Sequence, residues 1–160
     1  MRRQGGHTVI ELLVVAAVLM FLAGIAIPSG TVSDDRKLDT FQLQIQDAMD
    51  HAKSLSYHSG SVHGVRFNAI GNWFAVVNEV GIPIDDPLSH GDYVIRLDGP
   101  GQPGGIKLDY AVFGSRPVAV FNEKGVLEEG GQVNISTKKS VRWLFANTAT
   151  AKLAEIPVTE

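Results

Sequence analysis

From Leu12 to Ile27 the chain reads LLVVAAVLMFLAGIAI, sixteen residues without a charged or strongly polar side chain. Val9 and Ile10 extend the run across one interruption, Glu11. At about 1.5 Å per residue, a helix from Val9 to Ile27 is roughly 28 Å long, close to the hydrocarbon thickness of a bilayer. It is apolar on almost every side, which suits lipid better than a one-sided core. Pro28 then removes an amide donor and disfavours helical geometry at Ile27, so the helix kinks or restarts there, with Ser29, Ser33 or Asp34 as caps. From Leu38 the apolar positions recur as Phe41, Ile45, Ala48 or Met49, Ala52 and Leu55. Steps of three and four predict one apolar stripe on a helix that ends between Tyr57 and Gly60. The pattern passes from a helix apolar all round to one covered on a single face.

Beyond residue 58 the periodicity falls to two, and glycine and proline divide short runs. Val62–Phe67 and Trp73–Val77 flank Asn68–Asn72 as a hairpin, and a loop from Gly81 to Gly91 follows. Further strands are expected at Tyr93–Leu97, Ile106–Tyr110, Pro117–Phe121, Gln132–Ile135 and Val141–Phe145, with a last one near Ala151–Ile156. Ala119 and Phe121 alternate with Val118 and Val120, so one face can cover the helix while the other meets solvent or another sheet. A long N-terminal helix packed on a C-terminal antiparallel β-sheet, read as a meander, is an α+β architecture.

Charge and composition narrow the setting. The 160 residues carry 14 Lys plus Arg against 17 Asp plus Glu; setting aside Arg2 and Arg3 leaves 12 against 17, a balance of −5. Such a body has no basic surplus to attract nucleic acid. Cysteine is absent, which excludes disulfides, thiol catalysis and thiolate metal sites. Arg2 and Arg3 precede the apolar run, so the positive-inside tendency keeps the short N-terminus in the cytoplasm and sends everything after Pro28 across the membrane.

A secretory signal peptide, with Gly24-Ile25-Ala26 as a cleavage site, and a plain single-pass anchor share these features. Glu11 separates them. A carboxylate in the middle of a membrane helix costs on the order of 3 kcal/mol, and less near the interface. An ordinary signal peptide supplies nothing to offset that cost, whereas a nearby amine does; the bland alternative is a side chain that snorkels to the headgroups.

Gly6-His7-Thr8-Val9-Ile10-Glu11-Leu12 resembles the class III signal of type IV prepilins and type II secretion pseudopilins, in which a glycine precedes the cut and a glutamate follows the first mature residue by four. The resemblance implies a leader over 1–6, a transmembrane and filament-core helix over 7–28, and a periplasmic pilin-like headpiece over 29–160 that includes an amphipathic helix over 29–58. It makes Gly6 and His7 the cleavage and methylation residues, and Glu11 the partner of a neighbouring subunit's N-terminal amine. Pro28 stands where members of the family commonly carry a kinking proline. His7 departs from the usual phenylalanine after the cut and brings a second titratable group beside the new amine. Gly71-Asn72-Trp73 and Val120–Gly125, with Gly130-Gly131 following, are similar to the headpiece of minor pseudopilin H and related minor pilins.

The implied role is that of a non-enzymatic subunit of a type II secretion pseudopilus, acting in filament initiation or tip assembly. It needs no cofactor or metal. Its partners would be other pseudopilins or pilins, a prepilin peptidase, the inner-membrane assembly platform and the lipid bilayer. A type IV minor pilin in adhesion, motility or DNA uptake shares the anchor, and a membrane-tethered ligand-binding protein is the alternative outside filaments. The localisation that follows is single-pass in the inner membrane with the head in the periplasm.

Other constellations read as structure. Gly99-Pro100-Gly101-Gln102-Pro103-Gly104 satisfies GxGxxG, but its prolines remove donors and a strand follows it. His51 and His58, with Asp47 one turn before His51, lack a third ligand at zinc-site spacing, and His63 and His90 sit in glycine-bordered segments. Asp85, Asp86 and Asp92 bracket a loop where calcium is conceivable, without the EF-hand order. Gly60–Gly64 has the wrong offsets for a nucleophile elbow. Lys138, Lys139 and Arg142 are the compact basic cluster, a weak footprint for DNA. Trp73 and Phe74 should point to opposite faces, Trp143 and Phe145 to one.

Intact-mass analysis of the membrane-extracted protein should give a chain that begins at His7; one beginning at Thr8 or Ile27, or an uncut Met1, would sink processing after Gly6.

Overall fold

The computed structural model describes residues 13–14, 33–87 and 91–156. Helix α1 spans Asp34–Ser59, 26 residues, and both ends have chemical causes. Ser33 is the N-cap, its hydroxyl accepting the Arg36 N–H at 3.4 Å. Asp34 and Asp35 lie in the first turn, where carboxylates complement the helix dipole. Gly60 ends the helix in the left-handed region at φ 63°, and its N–H caps the Ser56 carbonyl at 3.0 Å. Leu38, Phe41, Ile45, Ala48, Met49 and Ala52 are fully buried, and Leu55 packs at the margin. The expected stripe is therefore the face that makes the core. Ser56 closes it: its buried hydroxyl donates to the Phe121 carbonyl (3.2 Å) and accepts the His63 N–H (3.0 Å).

Eight strands follow: β1 His63–Asn68, β2 Trp73–Asn78, β3 Val94–Arg96, β4 Lys107–Phe113, β5 Val118–Phe121, β6 Gly131–Ser136, β7 Val141–Ala146 and β8 Leu153–Glu155. Every pairing is antiparallel, and the strands form two four-stranded sheets ordered β3-β2-β1-β5 and β4-β6-β7-β8. The α+β class stands, but the simple meander does not. β4 and β5, adjacent in sequence, belong to different sheets. Gly114 turns the chain at φ 58°, and Pro117 has no N–H to extend a ladder with β4. Its carbonyl instead accepts the Phe67 N–H at 2.9 Å, which delivers β5 to β1.

Inward-facing rings bridge the two sheets. Phe67 of β1 stacks on Phe113 of β4 with centroids 5.7 Å apart, and Phe74 lies 6.1 Å from Phe67. In β5, Ala119 and Phe121 are buried while Val118 and Val120 are half-buried, as their alternation requires. Phe74 is buried and Trp73 half-buried on the opposite face.

Polar ties fix the helix to the second sheet. Arg142 donates to Asp39 Oδ1 at 2.6 Å and Gln42 Oε1 at 3.2 Å, and pairs with Glu155 at 3.4 Å. Gln46 accepts the Leu153 N–H (2.8 Å) and donates to the Ala151 carbonyl (3.4 Å). At the β1–β2 turn, Asn72 takes φ 52°, a conformation asparagine tolerates. Its side chain donates to the Ile106 carbonyl (3.0 Å) and accepts the Leu108 N–H (2.8 Å), and its carbonyl accepts the Leu97 N–H (2.9 Å). One residue thus holds the ends of β2, β3 and β4 together.

Replacing Asn72 with alanine leaves buried backbone groups of Ile106 and Leu108 unpaired and strains the turn. Denaturant unfolding followed by the fluorescence of Trp73 and Trp143 should show a loss of about 2 kcal/mol or more. A loss below about 0.5 kcal/mol would deny Asn72 this role.

Candidate functional site

Gly6, His7, Glu11 and Pro28, the residues on which processing and assembly were expected to turn, lie outside the described residues. Among the described residues no helix is long and apolar enough to cross a membrane. The structure bears on assembly through the head surfaces that remain once the core is made.

The outer face of the second sheet is one such surface. Tyr110, Asn134 and Trp143 are cross-strand neighbours on β4, β6 and β7. Asn134 is buried, and with its amide turned so that O and N exchange places it donates to Asp109 Oδ2 at 3.2 Å and accepts the Trp143 indole N–H at 3.0 Å. A buried amide satisfied on both sides fixes the indole in place. Phe145 lies on the same face as Trp143, as alternation predicts, and Val141 and Ile156 extend it as exposed apolar side chains. This face can pack against another protein surface.

A groove of about 420 Å³ crosses the outer face of the first sheet, lined in part by Gly64, Arg66, Val77, Arg116 and Glu128. Gly64 is required there, because a Cβ would stand 2.6 Å from the Ala119 carbonyl oxygen. Arg66 lies against Gly81, a glycine at φ 79° whose Cβ would collide with the guanidinium.

The other candidates from the sequence are dispersed. His51 stacks on Tyr93 at 5.3 Å and 15°, pinning the loop after β2 to α1. Burial, and then the Asp86 and Asp47 carboxylates, push the Tyr93 phenol above its ordinary value. His58 meets Tyr57 edge to face, and His63 Nδ1 lies 3.0 Å from the Ser61 carbonyl. His90 is outside the described residues. Asp85 and Asp92 are bridged across the loop through their backbones, and the Asp86 N–H donates to the Gly91 carbonyl at 2.6 Å. Among the described residues no three His, Asp or Glu side chains converge as metal ligands. The loop at 99–104 leads into β4 and docks on the helix, with Lys37 Nζ donating to the Gly104 carbonyl at 3.4 Å.

Arg142 does not belong with Lys138 and Lys139. Its side chain is only 11% exposed and spent on Asp39 and Glu155, so the basic cluster read from the sequence reduces to two exposed lysines. The His51–Tyr93 stack and the Asp109–Asn134–Trp143 chain were not foreseen. The alternation of Trp143 and Phe145 was the signal for that outer face, while nothing local connects His51 to a residue 42 positions later.

Comparison with known proteins gives two findings. Residues 1–27 match the family model described as the prokaryotic N-terminal methylation motif. Among solved structures the chain is similar to the minor pseudopilin EpsH from the type 2 secretion system of Vibrio cholerae. That likeness has a TM-score of 0.55 at 13% identity and covers 76% of this chain and 98% of the other. At that identity the likeness establishes the fold. No curated protein matches the chain. A prepilin-type N-terminal motif thus precedes a head with a pilin-like α+β fold.

Proposed function

We propose that the chain is a minor pseudopilin, a subunit of a type II secretion pseudopilus that acts in filament initiation or tip assembly. The reading rests on one conjunction: residues 1–27 match the methylation motif, Glu11 interrupts an apolar run in the sequence, and the head that follows has the pseudopilin fold. A peptidase on the cytoplasmic side cuts after Gly6 and frees the amine of His7. The subunit then waits in the inner membrane as a single-pass protein with its head in the periplasm.

Glu11 supplies direction. An unpaired carboxylate among apolar side chains is costly, and the N-terminal amine of a neighbouring subunit is the cation that can neutralise it. Their pairing sets the axial register between two helices whose apolar surfaces would otherwise slide. Pro28 lets the apolar half of the helix pack at a filament core while α1 follows the head. The partners are other pseudopilins or pilins and the inner-membrane assembly platform. For a type IV minor pilin in DNA uptake the basic cluster was the supporting feature, and the burial of Arg142 weakens it.

Glu11→Ala should leave cleavage intact and abolish incorporation into sheared filaments, read by immunoblot of the filament fraction. Normal incorporation would remove the charge-pairing role, and failed cleavage would move Glu11 to the processing step.

A further inference from the structure

Three turns gather at the end of the head where α1 begins. Ser140, in the β6–β7 turn, donates to Asp35 Oδ1 at 3.2 Å. The 99–104 loop meets Lys37. Asn72, in the β1–β2 turn, is bonded to Ile106 and Leu108 beside that loop. Ile70 is fully exposed on the β1–β2 turn, two residues from Asn72. Asn72 itself lines a cavity of about 530 Å³ together with Lys107, Lys138, Ser136, Thr137, Asp98 and Asp109.

The charges at this end are not equally engaged. Asp34 pairs with Lys37 at 3.4 Å, Asp35 accepts from Ser140, Asp39 holds Arg142, and Asp109 accepts from Asn134. Arg36, Lys107, Lys138 and Lys139 are exposed and make no ion pair with another described residue, and Asp98 is the one exposed acid among them left unengaged. An apolar tip beside free lysines is the chemistry of a surface that meets lipid headgroups: the alkyl group enters the interface and the ammonium groups take phosphate.

Chain length keeps this end within reach of a membrane that holds the apolar run. Six residues lie between Ile27, the last of the apolar run, and Asp34, and the seven fully extended steps they make span at most about 25 Å.

We propose that, while the subunit is held in the membrane before assembly, this end of the head rests on the bilayer surface. Ile70 enters the headgroup region, and Arg36, Lys107, Lys138 and Lys139 bind the phosphates of anionic phospholipid. The inference rests on the membrane-anchored reading of residues 9–27. Its consequence is an orientation: the head is held down on the side of its own tether, and incorporation into a filament must lift it off.

The chain has no cysteine, so one introduced residue takes a unique fluorescent label. The full chain carrying Ala69→Cys, labelled with a nitrobenzoxadiazole dye, is reconstituted into vesicles of phosphatidylcholine alone or with one third phosphatidylglycerol. Ser61→Cys labels the opposite end as the reference. The Ala69→Cys label should be quenched by spin-labelled lipid in the phosphatidylglycerol vesicles and much less in phosphatidylcholine, while the Ser61→Cys label stays unquenched in both. Lys107→Gln, Lys138→Gln and Lys139→Gln should each weaken engagement by about five-fold, and 0.5 M salt should act in the same direction. Ile70→Ser should reduce quenching without removing the salt dependence.

Equal quenching in the two lipids, equal quenching of the two labels, or indifference to the lysine substitutions overturns the proposal while the anchor stands. If the chain floats with neither vesicle, the anchored reading itself fails and the proposal falls with it. Concentration-dependent self-association that the same lysine substitutions abolish would assign this surface to a second copy of the chain, and would also overturn it.

Discussion

The head depends on one constraint: the apolar stripe of α1 must be covered along its whole length. From Leu38 to Ser56 the buried positions extend for about 27 Å along the axis. A strand of six residues is only about 20 Å long. The first sheet engages the helix through β1, β2 and β5, and Ser56 ties the helix end to Phe121 and His63. The second sheet holds the N-terminal half, where Asp35, Asp39, Gln42 and Gln46 reach β7, β8 and the turns beside them. Dividing eight strands between two sheets lets both ends of one stripe be buried, and the stacked Phe67 and Phe113 keep the join between the sheets dry.

The same constraint explains where the polar residues go. Ser56 and Asn134 are the buried polar residues among those described, and each is hydrogen-bonded. Arg142 sits between helix and sheet with a carboxylate on either side. Removing one member of such a set exposes the cost of the others, whereas the pair at the surface Asp39 is worth little alone. The charges between α1 and the second sheet are therefore spent on holding elements together.

Much of this was legible because it is local. The end of α1 is written in Ser33 and Gly60, the core face in the three-and-four spacing from Leu38, and the strands in alternation bounded by glycine and proline. The exchange of β4 and β5 was not legible. Alternation determines which side chains point inward but leaves the partner strand open, and the choice is made by Pro117 and by a hydrogen bond to Phe67, fifty residues earlier. Arg142 was misread for a related reason: in sequence it neighbours Lys138 and Lys139, but its strand position points it inward to Asp39, more than a hundred residues away. The N-terminal methylation motif was legible because it is contiguous, contained in residues 1–27.

These two kinds of information divide the labour of the molecule. On the proposed reading, the N-terminal segment encodes where the subunit goes and how it registers with a neighbour, through one carboxylate whose cost in an apolar setting makes an unpaired state unfavourable. The head encodes what the assembled surface presents, and it does so with packing. His51, Tyr93, Asn134 and Trp143, residue types that elsewhere do chemistry, here fix a loop to a helix and an indole to a sheet. With these groups committed to packing, the surfaces left to meet a partner are the outer faces of the two sheets and the turns at either end of α1. A subunit that differs from its neighbours in those places alone can share a common helix core with them and still occupy one position among them.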